Sequence, residues 1–157
     1  MFHIVLFHPE IPHNTGAAGR LAVATDARLH LIKPLGFSLD EKHVRRTGLD
    51  YWKHVDLRLW DSLEELEAAA APGARFWYLS TKACHSIWEP SLPLQDGDYF
   101  VFGPESKGLP ERWIATHPDT ALRIPMPGER ARSLNLSTSI AIMLYEGLRR
   151  TLPEGQL

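Results

Sequence analysis

The chain has 157 residues, of which 44% are hydrophobic and 23% charged, and a formal net charge of -2. A chain of this size buries roughly 68–70% of its unfolded surface, and this composition excludes a disordered, collagen-like or coiled-coil protein. The lone Cys84 leaves no intrachain disulfide and no CxxC metal or redox site, which suits a reducing compartment.

The opening MFHIVLFHPE is stopped by His8 and Pro9, too short for a signal-peptide core or a membrane span, so a cytoplasmic chain with no membrane partner is expected. Its apolar run predicts a strand over 2–7. Further short apolar runs predict strands over 29–32, 54–59, 75–79, 98–102 and 121–124. Helical spacing predicts helices over 15–25, about 40–47, 62–71, 110–115 and 136–150. Ser62 followed by Glu65 makes a capping box for the third of these, and Pro72-Gly73 closes it. Strands alternating with helices predict an α/β fold, a mostly parallel sheet flanked by helices, in one domain over residues 1–157.

The last helix carries Leu136, Ile140, Met143 and Leu144 on one stripe, and Ala141, Ile142, Tyr145 and Leu148 over much of another side. A helix apolar nearly all round needs cover on both sides, either from its own core or from another subunit.

Charge is unevenly spread. Residues 1–60 hold eight Lys/Arg against six Asp/Glu together with six of the eight histidines, whereas residues 61–118 hold four against nine. A polyanion would meet the amino-terminal end first.

Four segments concentrate chemistry. In PEIPHNTGAAGR (9–20), Asn14 is a good N-cap, Gly16 permits close backbone approach, and Arg20 offers a guanidinium suited to a phosphate or an oxyanion. As a dinucleotide site it is poor, because it lacks the first glycine of GxGxxG. FGPESKGLP (102–110) is a turn-rich loop after a strand, the place where open α/β sheets bind ligands. In 123–146, Ser133, Asn135, Ser137, Thr138 and Ser139 crowd a helix entrance behind Arg130 and Arg132, more polar capacity than one cap requires. In DEKHVRRTGLDYWKH (40–54), Lys42, Arg45 and Arg46 are interleaved with Tyr51 and Trp52, either a surface for phosphates and unpaired bases or a solvated helix whose tryptophan is core. There is no GxSxG elbow, Walker A loop or HExxH motif.

Taken in order, NTGAAGR, FGPESKGLP and the span from IPM to SLNLS resemble the three motifs of the SPOUT superfamily of RNA methyltransferases. Within it, nearly the whole chain resembles the tRNA (cytidine/uridine-34)-2'-O-methyltransferase family, including IVLFHPEIPHNTG, LDEKHVRRTGLDY and QDGDYFVFGPESKGLP. The resemblance implies a carboxyl-terminal trefoil knot, an obligate homodimer and an anticodon stem-loop of tRNA as partner. It implies S-adenosylmethionine bent into the knot, leaving as S-adenosylhomocysteine. By motif, Leu79, Gly103, Ile124, Ser133 and Leu134 would hold the adenosine, with Ser80, Thr81, Glu105, Gly108 and Met126 lining the pocket.

A sulfonium methyl is already activated, so the protein must align the ribose 2'-oxygen and help remove its proton, and no metal is required. Arg20 is the candidate for that help, with Asn14 orienting it or the substrate. Ser133 and Asn135 are the expected polar partners at the methyl end, and Tyr145 is expected on the dimer side of the site. Lys42, Arg45, Arg46, Arg130 and Arg132 are the expected phosphate contacts. At this stage a SPOUT enzyme acting on ribosomal RNA, or a module that binds RNA or cofactor without catalysis, stays open as an alternative.

Overall fold

Residues 1–40 and 51–156 are described by the computed structural model. The helix predicted near 40–47 and the candidate contacts Lys42, Arg45 and Arg46 therefore lie outside the described residues. The strands are β1 (His3–Phe7), β2 (Arg28–Ile32), β3 (Leu57–Trp60), β4 (Phe76–Leu79), β5 (His85–Ser86), β6 (Tyr99–Phe102) and β7 (Ala121–Arg123). They form one sheet in the order β3-β2-β1-β6-β4-β7-β5, and every pairing is parallel.

Both faces of that sheet are covered, which is why its central strands read as continuous apolar runs. Ile4 and Leu6 point to one face, where they meet Ala18 and Ala22 of α1 (Pro12–Thr25) and Ile140, Met143 and Leu144 of α4 (Leu136–Thr151). Val5, Tyr78 and Val101 point to the other, where they meet Leu63 and Leu66 of α2 (Leu63–Ala69) and Trp113 of α3 (Glu111–Thr116). No helix among the described residues is long and apolar enough to cross a membrane.

The carboxyl-terminal half is woven. From β4 the chain runs out to β5 at the sheet edge, returns past β4 to place β6 beside β1, and then inserts β7 between β4 and β5. Ordinary connections avoid such crossings. The two-residue β5, paired through His85 and Ser86 with Leu122 and Arg123, is too short for any periodicity to announce it.

Three local expectations change. Helix α1 begins at Pro12 rather than at 15, because proline has no N–H to lose in a first turn and its φ is already helical. Asn14 is accordingly buried inside that turn instead of capping it, and the cap residue Ile11 has no side-chain hydrogen bond to offer. In α2 the Ser62 hydroxyl accepts from Glu65 N–H at 3.1 Å as predicted, but the Glu65 carboxylate reaches back to Asp61 N–H at 2.9 Å, one residue further than a standard capping box.

The aromatics of 40–54 belong to the packing. The 3-10 turn Trp52–His54 lays Trp52 so close to α1 that a Cβ on Gly19 would stand 2.4 Å from its ring, and the Tyr51 hydroxyl donates to the Gly16 carbonyl at 3.1 Å. Neither ring is a free stacking surface. Helix α4 buries Ile140, Met143 and Leu144, whereas Tyr145 is 54% exposed and Ile142 and Leu148 are half-buried. Its own core thus covers only one side of it.

Candidate functional site

The carboxyl ends of parallel strands are where open α/β sheets bind ligands, and a cavity of about 510 Å³ opens there. Leu79, Ser80 and Thr81 leave β4 into it; Gly103, Glu105 and Gly108 come from the loop after β6; Ile124 and Met126 follow β7; and Ser133 and Leu134 approach the start of α4. All ten residues expected to hold a cofactor therefore share one wall. Asn14, Asn135 and Arg132 line it as well.

Two features shape the loop after β6. A Cβ on Gly103 would fall 2.2 Å from the backbone of Gly108 and Leu109, so only glycine lets the loop curl back on itself. The curl is closed by the N–H groups of Lys107 and Gly108, which donate to the Pro104 carbonyl at 3.3 and 2.8 Å.

That loop is clasped to the start of α1. The Glu105 carboxylate accepts from the N–H groups of Glu10 at 2.8 Å and Ile11 at 3.1 Å, and from Asn14 Nδ2 at 3.3 Å. In return, Glu10 Oε1 accepts from Ser106 N–H at 3.2 Å and from its hydroxyl at 2.6 Å. The Ser106 hydroxyl and N–H hold the Glu10 carboxyl below the usual carboxylate range. A helix end without a side-chain cap thus receives its acceptor from 91 to 95 residues away, and an acid there also suits the helix dipole.

At α4 the cap is Asn135, whose Oδ1 accepts from Ser137 N–H at 2.9 Å and Thr138 N–H at 3.4 Å. Its oxygen is occupied in this way, so its amide donors are what it can turn toward a ligand.

The structure does not bring every expected residue to the cavity. Arg20 is exposed on α1, its guanidinium 5.6 Å from the centre of the Tyr51 ring, and it is not part of this chain's cavity wall. Six positions after Asn14, it projects from a different side of the helix. Tyr145 is also off the wall, and Arg130 is exposed in the loop before α4. Conversely, Lys82, Ser106, Lys107 and Glu111 line the cavity unannounced. Lys82 and Glu111 form an exposed ion pair between two elements 29 residues apart, for which a single sequence carries no signal.

Residues 1–145 match the model of the SpoU rRNA methylase family. The chain is 47% identical over 151 residues to the tRNA (cytidine(34)-2'-O)-methyltransferase of Methylovorus glucosotrophus, covering 96% of each chain. It is also 47% identical over 154 residues to the protein of the same name from Saccharophagus degradans, again covering 96% of each. A solved structure described as giving structural insights into the 2-OH methylation of C/U34 on tRNA superposes with a TM-score of 0.87 at 47% identity, over 96% of this chain and 95% of that one. The SpoU methyltransferase AviRb from Streptomyces viridochromogenes, solved in complex with AdoMet, shares the fold with a TM-score of 0.74 at 24% identity, over 94% of this chain and 57% of that one. The fold common to them is the α/β knot, in agreement with the woven strand order.

Proposed function

The chain belongs to the SpoU rRNA methylase family, and from that premise we propose that it transfers a methyl group from S-adenosylmethionine to the 2'-oxygen of the wobble ribose, position 34, of tRNA, with cytidine, modified uridine or both as acceptor. The relatives that match over nearly full length are tRNA (cytidine(34)-2'-O)-methyltransferases, which favours tRNA over ribosomal RNA. The observation that carries the reading is the cavity, which gathers the ten candidate cofactor residues, Ser133 among them, with Asn14 and Asn135.

The residues present fit S-adenosylmethionine. Leu79, Phe102, Ile124 and Met126 offer apolar walls to an adenine, while Arg132, Ser133 and Ser139 offer charge and hydroxyls to an amino-acid end. When bound, the cofactor supplies a methyl group activated by a sulfonium. What the chain must add is alignment and help with a proton. Asn14, held by Glu105 through its amide, presents Oδ1 for a substrate hydroxyl, and Asn135 brings its amide to the same cavity.

Arg20 belongs in this scheme through a homodimer. It is exposed on α1, which packs beside α4. Val23 on α1 and Tyr145 on α4 leave large apolar side chains in solvent, as elements awaiting a second copy do. In such a pair Arg20 serves the RNA at the joint site, where its charge favours the ribose alkoxide directly or through a phosphate. Arg130 and Arg132, with Lys42, Arg45 and Arg46 of the basic segment, grip the anticodon stem-loop, and the enzyme works in the cytoplasm.

The test is transfer of radiolabelled methyl from S-adenosylmethionine to purified tRNA and, separately, to ribosomal RNA, by the wild type and Arg20→Ala, with nuclease mapping of the label. Label on the wobble ribose that disappears with Arg20 is the expected result. Label on ribosomal RNA alone, or on no RNA despite cofactor binding, overturns it.

A further inference from the structure

On the far side of the Glu10–Ser106 and Glu105 clasp lies a second cleft of about 270 Å³, to which no role has yet been given. Its lining includes His8 and Glu10 after β1, Leu35 after β2, and Pro104, Ser106 and Lys107 after β6. The last three line the transfer cavity too, so one short loop is the wall between the two spaces.

The cleft is a fixed feature. Gly36 N–H donates to the Pro9 carbonyl at 2.9 Å, and a Cβ on Gly36 would stand 2.8 Å from Glu10 Cα, so the loop after β2 is locked onto the loop after β1. His8 itself sits at φ 50, in the left-handed region that a residue other than glycine seldom adopts, with its N–H donating to the Ile32 carbonyl at 3.1 Å. Strain of this kind is retained where surroundings impose it, often beside ligands. The backbone turn stacks the imidazole on Phe7, with ring centroids 3.7 Å apart and planes at 23°, leaving the half-buried ring over the cleft. Burial above all, with the nearby Lys107 adding to it and a hydrogen bond to the Lys33 backbone opposing it, pushes the His8 pKa below its ordinary value, which favours the neutral ring at pH 7. A neutral imidazole is a stacking face rather than a phosphate clamp. Lys107 is the cation; its charge is felt by the Glu10 carboxylate in the same cleft, but it forms no ion pair among the described residues. Glu10 uses Oε1 for Ser106, which leaves Oε2 as an acceptor for an amino or imino edge.

We propose that this cleft takes a nucleotide adjacent to the methylated one, its base laid against the His8 ring and its phosphate against Lys107. The proposal rests on the RNA-methylation reading. A strand whose reacting ribose enters the first cavity carries its neighbour across the shared Pro104–Lys107 wall, and imidazole rings are among the surfaces on which unpaired RNA bases stack. The cleft is then a specificity-determining subsite that recognises an unpaired neighbour.

The experiment uses the full-length protein and three RNA stem-loops: the parent, and two with an abasic residue at position 33 or 35. His8→Asn removes the ring while keeping a residue that tolerates left-handed backbone, and His8→Phe restores a stacking face. In His8→Asn the KM for the parent stem-loop is expected to rise about tenfold, with kcat at saturating RNA and the dissociation constant of S-adenosylmethionine unchanged. His8→Phe should return KM toward wild type. One abasic stem-loop should show the same rise with wild type and no further rise with His8→Asn. An unchanged KM in His8→Asn, full affinity for both abasic stem-loops, or a loss of cofactor affinity alongside KM overturns the subsite. Saturable binding of free cytidine monophosphate that is lost in His8→Asn, with both abasic stem-loops behaving like the parent, assigns the cleft to a free nucleotide instead. A wild type that methylates no stem-loop overturns the RNA reading and the subsite together, whereas normal methylation with an inert His8→Asn overturns the subsite alone.

Discussion

Asn14 and Glu105, 91 positions apart, are joined by a hydrogen bond of 3.3 Å from the amide Nδ2 to the carboxylate Oε1. The same carboxylate caps the start of α1, so one acid sets both the entry of the helix and the orientation of a side chain in the transfer cavity. In the proposed reaction Glu105 therefore acts through Asn14 as a positioning residue, besides lining the cavity proposed for the cofactor.

Glu105→Gln replaces one of the two acceptor oxygens with a donor, which must face either the Glu10 N–H at the Oε2 position or both Asn14 Nδ2 and the Ile11 N–H at the Oε1 position. Misplacement of a catalytic group by about 1 Å can cost on the order of 10²-fold in rate. The expected outcome is a kcat lower by about that factor in single-turnover methyl transfer, with cofactor affinity by calorimetry little changed. A loss of cofactor affinity equal to the loss in rate would make Glu105 a cofactor ligand instead.

Acid should weaken the fold through His3 and His30. Trp60 Nε1 donates to His30 Nδ1 at 3.0 Å, which fixes the neutral tautomer in which His30 Nε2–H donates to His3 Nδ1 at 2.9 Å. Burial is the main cause that lowers the two pKa values, to about 4 for His3 and about 3 for His30, with Arg28 adding to both and Asp56 opposing. Unfolded histidine binds its proton near pH 6.5, so below that pH the unfolded state takes up protons that the folded state refuses. The stability from these groups is complete above about pH 6.5 and drains away as the pH falls toward 4. A drop of roughly 5 kcal/mol between pH 7 and pH 4.5, about half from each ring, is expected in urea titrations. His30→Gln should flatten that slope; a slope as steep as in wild type would place the titrating groups elsewhere.

Much of the sheet was legible because buried parallel strands are apolar runs of four or five residues, as in HIVLF and YFVF, and because Ser62 with Glu65 announces a helix start in local sequence. The cavity wall was legible only through motifs, since Leu79, Gly103 and Ile124 carry no chemistry of their own and serve through where their backbone lies. What stayed hidden is long-range by nature. The capping of α1 by Glu105, the pairing of Lys82 with Glu111 and the packing of Trp52 on Gly19 each join segments that the fold alone brings together. Arg20 is exposed on α1 and outside this chain's own cavity, so its expected place near the reaction rests on the proposed homodimer.

The proposed RNA grip should be readable in salt. Each phosphate contact removed from a largely single-stranded site lowers the slope of log binding constant against log salt by about 0.7, and from a duplex by about 0.9. Arg130→Ala and the pair Arg45→Ala with Arg46→Ala are expected to weaken tRNA binding and flatten that slope by one such step per contact, in filter binding between low and moderate salt. A parallel displacement of the line with its slope intact would mean that these arginines support the fold rather than touch phosphate.

At the opposite end of the sheet from the cavity, Asp98 is a different kind of anchor. It is 1% exposed, and its carboxylate accepts from Arg75 Nε and Nη2 at 3.0 Å each, Trp77 Nε1 at 2.8 Å and Gln95 N–H at 3.0 Å. Arg75 precedes β4 and Asp98 precedes β6, so the cluster ties together the amino ends of two adjacent strands whose carboxyl ends build the site. Removing one partner of a buried ion pair leaves the other charge desolvated and alone, at a cost of about 3–5 kcal/mol. For a chain of this length each kcal/mol moves the unfolding midpoint by about 2–4 °C. Asp98→Ala is expected to lower the thermal midpoint by roughly 10 °C while leaving S-adenosylmethionine affinity intact at temperatures where the variant is folded. A loss of affinity in the folded variant would show that the register of β4 against β6 is transmitted along the strands to the cavity.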